Sequence, residues 1–356
     1  MIRLGIVGCG NMGGNHNMVY GQLEGGIVTA TVDVAKERAE DAARMTGAHK
    51  AATDYRDILD DVDALLIALP HDLHYETGMT CLKAGKHVLM EKPLANSESE
   101  CLDLIHTAKR ENKVLMTAYP IRYHPLVAKM KELIVNKTYG EVFQVSIFTE
   151  QFTKKDPGHW ILSAKRLGGG QFFSHGCHYV DLMLDWLGKP VKGSHIGTNL
   201  GTPWMEKEGT SNVILEFENG KTAMHFGTWG ARGTKLGYNL QAFCTEGTIE
   251  LDLTNRKLYV HHGLSEERNQ QHEEKVELLM ESEGGKYTQH EINHFLHCVR
   301  TGETPLTNGH ASLQGLRVIW RLYEAEQMGV VADLRGLGLD EEWDRPGLDR
   351  LPDHQA

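Results

Sequence analysis

The chain has 356 residues, 40% apolar and 24% charged, with a formal net charge of −11. This is the composition of an ordinary globular protein long enough for two domains; its acidic balance disfavours nucleic acid and anionic membrane as partners, since either needs a basic patch. Six cysteines with no Cys-x-x-Cys pair read as reduced, packed thiols, and Met1 stands directly on the first apolar run, with no room for a signal peptide and no run of membrane-spanning length, so the expected location is cytoplasmic.

Ile2-Arg3-Leu4-Gly5-Ile6-Val7 predicts a buried strand, broken by Gly8-Cys9-Gly10-Asn11-Met12-Gly13 and expected to restart as a helix. Such a turn leaves backbone N–H groups at a helix N-terminus with no side chain in front of them, where a pyrophosphate sits. Gly8 permits the tight turn, Gly10 lets the backbone approach the phosphates, and Gly13 lets helix and strand lie close. Asp33 ends the next apolar run, Ile27 to Val32, at the interval of about 20 residues expected of an acid that meets a ribose. The bland alternative is a ligand-free glycine turn. Asp33 would accept from both adenosine ribose hydroxyls and repel a 2′-phosphate, which favours NAD over NADP, although Lys36 and Arg38 nearby keep NADP open.

Helices are predicted over Val34–Gly47, Tyr75–Ala84 and Ser97–Glu111, and strands over Ala64–Leu69, His87–Met90 and Val114–Met116, alternating as in a doubly wound parallel sheet. Ligands bind such sheets at the carboxyl ends of the strands. Leu69, Pro70 and His74 are therefore cofactor-facing candidates; His71 is as readily a solvated loop residue. Glu91-Lys92-Pro93 ends the next strand in the same way, with Glu91 and Lys92 near the place a nicotinamide must reach.

Beyond residue 121 the pattern changes. A helix over Leu126–Val135 precedes strands at Glu141–Phe148, Asn212–Glu218, Thr222–Thr228, Tyr238–Thr245, Thr248–Leu253 and Lys257–His261, with Asn219-Gly220 as a hairpin signal. Residues 122–356 thus form an α+β domain on one large, open, mainly antiparallel sheet, following a dinucleotide-binding domain at 1–121. Helices follow at Glu291–Arg300 and Ala311–Glu326, and the tail after Gly338 reads as a surface extension. The sheet face carrying Val213, Leu215, Ala223 and Phe226 is expected to be covered by another subunit or by the chain itself, and a homo-dimer or homo-tetramer through the open sheet is the expected assembly.

Gly168-Gly169-Gly170 leads into Gln171-Phe172-Phe173-Ser174-His175-Gly176-Cys177-His178-Tyr179-Val180-Asp181. Helical spacing puts Ser174, His178 and Asp181 on one face and turns His175 aside by about 100°. The His175–His178 spacing with no third ligand disfavours a metal site; a satisfied core histidine is the bland reading of either ring.

On the glycine turn, Glu91-Lys92-Pro93, Arg122-Tyr123-His124-Pro125 and the Gly168-to-Asp181 stretch, the chain resembles the glucose-fructose oxidoreductase / inositol dehydrogenase (Gfo/Idh/MocA) family over essentially its whole length. The resemblance implies a Rossmann domain followed by an open-sheet domain, with Lys92 and His178 acting on a sugar or cyclitol hydroxyl and Asp181 holding substrate hydroxyls. His178 is the natural base, its unperturbed pKa being about 6.5, and Lys92 stabilises alkoxide charge. Ser174, His175, His159, Trp160, Arg166 and Arg122 are candidates for the substrate wall. Relatives commonly carry Asp where this chain has Ser174. That change, with His175, opens an alternative reading as a redox-neutral NAD-dependent glycosidase, in which oxidation, elimination, hydration and reduction need one more base. A sensor that binds NAD and sugar without turning them over is the third reading; the presence of both Lys92 and His178 counts against it.

Overall fold

An apolar run without polar alternation belongs in the middle of a sheet covered on both faces, and β1 (Ile2–Val7) holds that place. The computed structural model describes residues 1–10, 23–262, 275–283 and 287–338. The chain forms two compact units, one of Met1–Tyr123, Lys165–Gly168 and Lys286–Leu313, the other of His124–Ala164, Gly169–Gly285 and Gln314–Ala356.

In the first unit β2 (Gly26–Val32), β3 (Lys50–Ala52), β4 (Ala64–Ile67), β5 (His87–Glu91) and β6 (Leu115–Ala118) join β1 in a six-stranded parallel sheet of order β3-β2-β1-β4-β5-β6. The order reverses between β1 and β4, which places the ligand-binding switch point at the ends of those two strands. Helices α1 (Lys36–Thr46), α2 (His74–Lys83) and α3 (Glu98–Arg110) lie where the apolar periodicity predicts them. Ser97 starts α3 with a capping box: its hydroxyl accepts from the Glu100 amide while the Glu100 carboxylate accepts from the Ser97 amide. Strand β3 was not expected, because three residues are too few to display a period. The expected helix after the glycine turn lies outside the described residues.

The second unit begins with α4 (Pro125–Val135) and carries α5 (Cys177–Leu187). Its nine strands are β7 (Val142–Glu150), β8 (Pro190–Thr198), β9 (Thr210–Phe217), β10 (Thr222–Thr228), β11 (Tyr238–Cys244), β12 (Gly247–Asp252), β13 (Lys257–His262), β14 (Val276–Glu281) and β15 (Ala332–Asp333), in the order β14-β13-β12-β11-β7-β10-β9-β8-β15. Among the described residues only the β7–β10 pair of this sheet is parallel. Gly220, at φ 75°, makes the predicted β9–β10 turn, a backbone region that glycine enters without strain.

Of the two covers expected for the sheet face, the chain itself supplies one: Val213, Leu215 and Ala223 are buried within the unit at 2%, 0% and 0% exposure. Strand side chains alternate with period two, so Phe226, half-buried, falls on the opposite row with Ile214, 62% exposed, and Ile196, 68% exposed.

After β14 the chain returns to the first unit through α6 (Thr288–Thr301), whose Ile292, Phe295 and Leu296 join Leu4, Ile6, Val28, Leu66 and Leu89 in one core cluster. A final long helix, α7 (Gly309–Met328), follows. The tail expected beyond Gly338 lies outside the described residues. Among the described residues no helix is long and apolar enough to cross a membrane.

Candidate functional site

At the end of β1, Gly8 has φ +93°, and a Cβ there would stand 2.3 Å from the Ala68 carbonyl oxygen, so β1 and the β4 end approach too closely for a side chain. Gly10 is the opposite case: among the described residues a Cβ would meet nothing within 4 Å, room in which a ligand could approach the backbone. Asp33 is buried at 7% exposure. Its Oδ2 accepts from the Cys9 amide at 3.0 Å, and its Oδ1 accepts from the Ala35 amide at 2.8 Å and from Arg38 at 2.7 Å. An open glycine backbone with an anchored acid at the end of the neighbouring strand fits the phosphate and ribose of a dinucleotide. Asn11, Met12 and Gly13 lie outside the described residues.

The two next strand ends are tied together by His74, which is fully buried: its Nδ1 lies 2.8 Å from the Pro93 carbonyl oxygen and its Nε2 2.9 Å from that of Leu69. His74 therefore braces the loops that follow β4 and β5 against each other. Pro70 precedes the short turn His71–Leu73. His71, expected to be as readily a solvated residue, is buried, with Nδ1 2.8 Å from the Leu167 carbonyl oxygen, and burial followed by the charge of Lys92 holds its ring well below the usual histidine range. Glu91 is buried and accepts from the Lys92 amide at 3.2 Å, fixing the backbone from which the half-buried lysine projects. Arg122, at 6% exposure, donates to the Leu306 carbonyl at 3.3 Å, and Arg166 pairs with Asp72 at 3.0 Å; both sit in the first unit. Among the described residues no group of three or more His, Cys, Asp or Glu could hold a metal ion.

In the second unit the stretch leading into α5 opens with a π-helical turn, Phe172–Gly176. Such turns recur at functional sites because the extra residue re-aims side chains. Here Ser174 is buried at 3% exposure, while His175 and His178 are both half-buried with ring centroids 6.0 Å apart. Asp181 is buried at 1% exposure one turn further on. Gln171 meets His175 Nδ1 at 3.3 Å, and Tyr238 from β11 meets Nε2 at 3.5 Å while donating to Gln151. Trp229 stands 6.4 Å from the His175 ring. Tyr238, Gln151 and Trp229 were not predicted; they arrive from three separate strand ends, and no local spacing marks them. His159 accepts from the Ile161 amide through Nδ1 at 3.2 Å and stacks on Trp160, with ring centroids 6.0 Å apart.

These features define a dinucleotide-dependent protein with a second, polar and aromatic site on an open sheet. Residues 2–119 match the model of the oxidoreductase family with an NAD-binding Rossmann fold, and residues 127–250 match the GFO/IDH/MocA C-terminal domain. The chain belongs to the Gfo/Idh/MocA family of NAD-binding oxidoreductases. It is 27% identical over 316 residues to myo-inositol 2-dehydrogenase of Thermotoga maritima, covering 86% of this chain and 91% of that one. It is 26% identical over 335 residues to D-xylose 1-dehydrogenase (NADP(+)) 2 of Haloferax volcanii, covering 94% and 100%. Among solved structures, levoglucosan dehydrogenase in complex with NADH superposes with a TM-score of 0.83 at 21% identity, over 94% of this chain and 99% of the other, a likeness of fold.

Proposed function

We propose that this oxidoreductase transfers hydride between NAD and a secondary hydroxyl of a sugar, sugar derivative or cyclitol, with His178 as the base and Lys92 stabilising the oxyanion. The observation that carries the reading is the grouping of His175, His178, Tyr238 and Gln171 around one patch, with Trp229 beside it. Donors and acceptors set among aromatic rings suit a polyhydroxylated ligand, whose hydroxyls need partners and whose C–H faces need apolar cover. Relatives named as inositol and xylose dehydrogenases support the substrate class.

Bound NAD supplies the hydride acceptor at its nicotinamide ring. His178 takes the hydroxyl proton as the C–H bond breaks, and the ammonium of Lys92 meets the charge developing on the same oxygen. Asp181 and Ser174 hold neighbouring hydroxyls, and His159 and Trp160 extend the substrate wall. Gly8, Gly10 and Asp33 bind the dinucleotide, with Leu69, Pro70, Glu91 and the His74 brace shaping the loops that face it.

A second reading, the redox-neutral glycosidase, is favoured by one feature: His175 shares the half-buried edge with His178 and could serve as the additional base. The outward Ile196 and Ile214 support a homo-dimer or homo-tetramer formed through the open sheet, which light scattering at micromolar concentration tests. Six buried cysteines with no Cys-x-x-Cys pair support a reducing, cytoplasmic setting.

The test is a screen of sugars, cyclitols and glycosides with NAD, following NADH and released aglycone together. NADH accumulation with a free sugar or cyclitol supports the dehydrogenase; aglycone release without net NADH supports the glycosidase; neither, across the panel, removes both.

A further inference from the structure

The turn that carries His175 begins with Gly170, Gln171, Phe172 and Phe173. The first four N–H groups of a helix have no partner within it and need one from elsewhere. All four are answered here by two residues distant in sequence. The Gly170 amide donates to the Tyr323 hydroxyl at 3.3 Å and the Phe173 amide to the same oxygen at 3.2 Å. The Gln171 amide donates to the Glu208 backbone carbonyl at 2.8 Å and the Phe172 amide to Glu208 Oε1 at 3.3 Å. Tyr323 in turn donates its proton to Glu208 Oε1 at 2.5 Å, closing the pair. The first bond internal to the helix, from the Ser174 amide to the Gly170 carbonyl at 3.0 Å, follows directly.

The glycines ahead of the helix acquire a reason. A Cβ on Gly170 would lie 2.2 Å from the Glu208 carboxylate, and one on Gly169 3.3 Å from the Tyr323 ring. Behind the pair, Phe172 stacks on His195 with centroids 4.8 Å apart, and His195 Nδ1 meets Glu326 Oε2 at 2.7 Å. The start of the helix is thus held by the segment just ahead of β9 and by α7, and the π turn is fixed at its amino end.

The geometry points to Glu208 and Tyr323 as positioning residues that set the reach of His175 and His178 by clamping the first turn of the helix that carries them. The assignment rests on the proposed role of these histidines. The pair touches neither ring; it fixes the backbone frame from which both project.

The full chain is compared with Tyr323→Phe, Glu208→Ala and Glu208→Gln. NMR titration of isotope-labelled histidine reads ring position and environment without any substrate; turnover, substrate KM and NAD affinity are measured on the best substrate from the screen. Tyr323→Phe and Glu208→Ala are expected to move the His175 and His178 signals and to lower kcat by roughly 10- to 100-fold, the scale of a misplacement of about 1 Å. NAD affinity should stay within about twofold, since the dinucleotide residues lie in the other unit, and Glu208→Gln, which keeps an acceptor oxygen, should restore most of kcat. Unmoved histidine signals and unchanged kcat in Tyr323→Phe and Glu208→Ala, with the fold intact by circular dichroism, overturn the clamp. If the wild-type chain turns over nothing in the screen, the function proposed above fails, and the histidine signals still decide the clamp.

Discussion

Arg38 holds Asp33 through two nitrogens, Nη2 at 2.7 Å and Nε at 3.0 Å, both on Oδ1. The acid expected to meet the ribose is thereby tied to the cation expected to tolerate a 2′-phosphate. Asp33→Ser should release Arg38 and remove the charge that repels the phosphate, raising NADP affinity at least tenfold and weakening NAD. Titration of both cofactors against wild type and variant checks this; an unchanged affinity ratio would show that neither residue sets the preference.

His175 separates the two enzymatic readings. In a dehydrogenase His175→Ala should retain kcat within about threefold, whereas loss of the base in His178→Ala should lower it by roughly 10²–10⁴. A glycosidase that relies on His175 for C–H abstraction should keep the first hydride transfer and lose aglycone release. Single-turnover absorbance at the NADH band beside product release distinguishes them.

Four histidines, two buried and two half-buried, predict acid lability. Burial pushes His124 and His294 to about 4 and His225 to about 3, and His87 falls to about 4, again mainly through burial, with the Lys113 charge adding. The unfolded chain takes up protons on these rings below about pH 6.5, whereas the folded chain resists until these lower values. Their contribution is therefore complete above pH 6.5 and is lost as pH falls through that interval. The melting temperature should drop by roughly 5–15 °C between pH 7 and pH 4. In His225→Gln the slope of this decline should be shallower than in wild type; identical slopes would remove His225 from the account.

Glu291 works in the other direction. It is fully buried on α6, and burial first, then the charge of Glu91, holds its carboxyl well above the usual range, opposed in part by the Tyr119 backbone. The folded chain keeps a proton that the unfolded chain releases above about pH 4.3, so stability is greatest below that pH and declines as pH rises toward the folded value. Glu291→Gln should melt a few degrees above wild type at pH 8 and level with it near pH 4. Equal melting points at pH 8 would show that the carboxyl ionises freely inside the fold.

The parallel sheet was legible because its strands are unbroken apolar runs ending in Gly8, Pro70 and Pro93, and because Asp33 falls at the spacing that a ribose requires. The hairpin at Asn219-Gly220 announced itself by turn chemistry alone. Other features depend on contacts that no window of sequence contains. The π turn at Phe172–Gly176 follows four amides that meet Glu208 and Tyr323, partners no local spacing reveals. Strand β8 was missed because Lys192, Gly193, His195 and Gly197 break its pattern, and without its pairing to β9 the sequence could not say whether the chain or a second subunit covers Val213 and Leu215. Arg122 and Arg166 looked available for substrate, yet their guanidinium groups meet Leu306 and Asp72, partners set by tertiary structure.

The return of α6 to the first core has a consequence for how the protein is made. Ile292, Phe295 and Leu296 complete the cluster that also contains Leu4, Ile6 and Leu66, and each such side chain stabilises by about 1.5–3 kcal/mol when fully buried. Chains are released from the ribosome amino end first. The nucleotide-binding sheet therefore emerges early but must wait, with its apolar floor uncovered, until some three hundred residues have been translated; a nascent chain stalled within the second sheet would present that floor to chaperones instead of to α6.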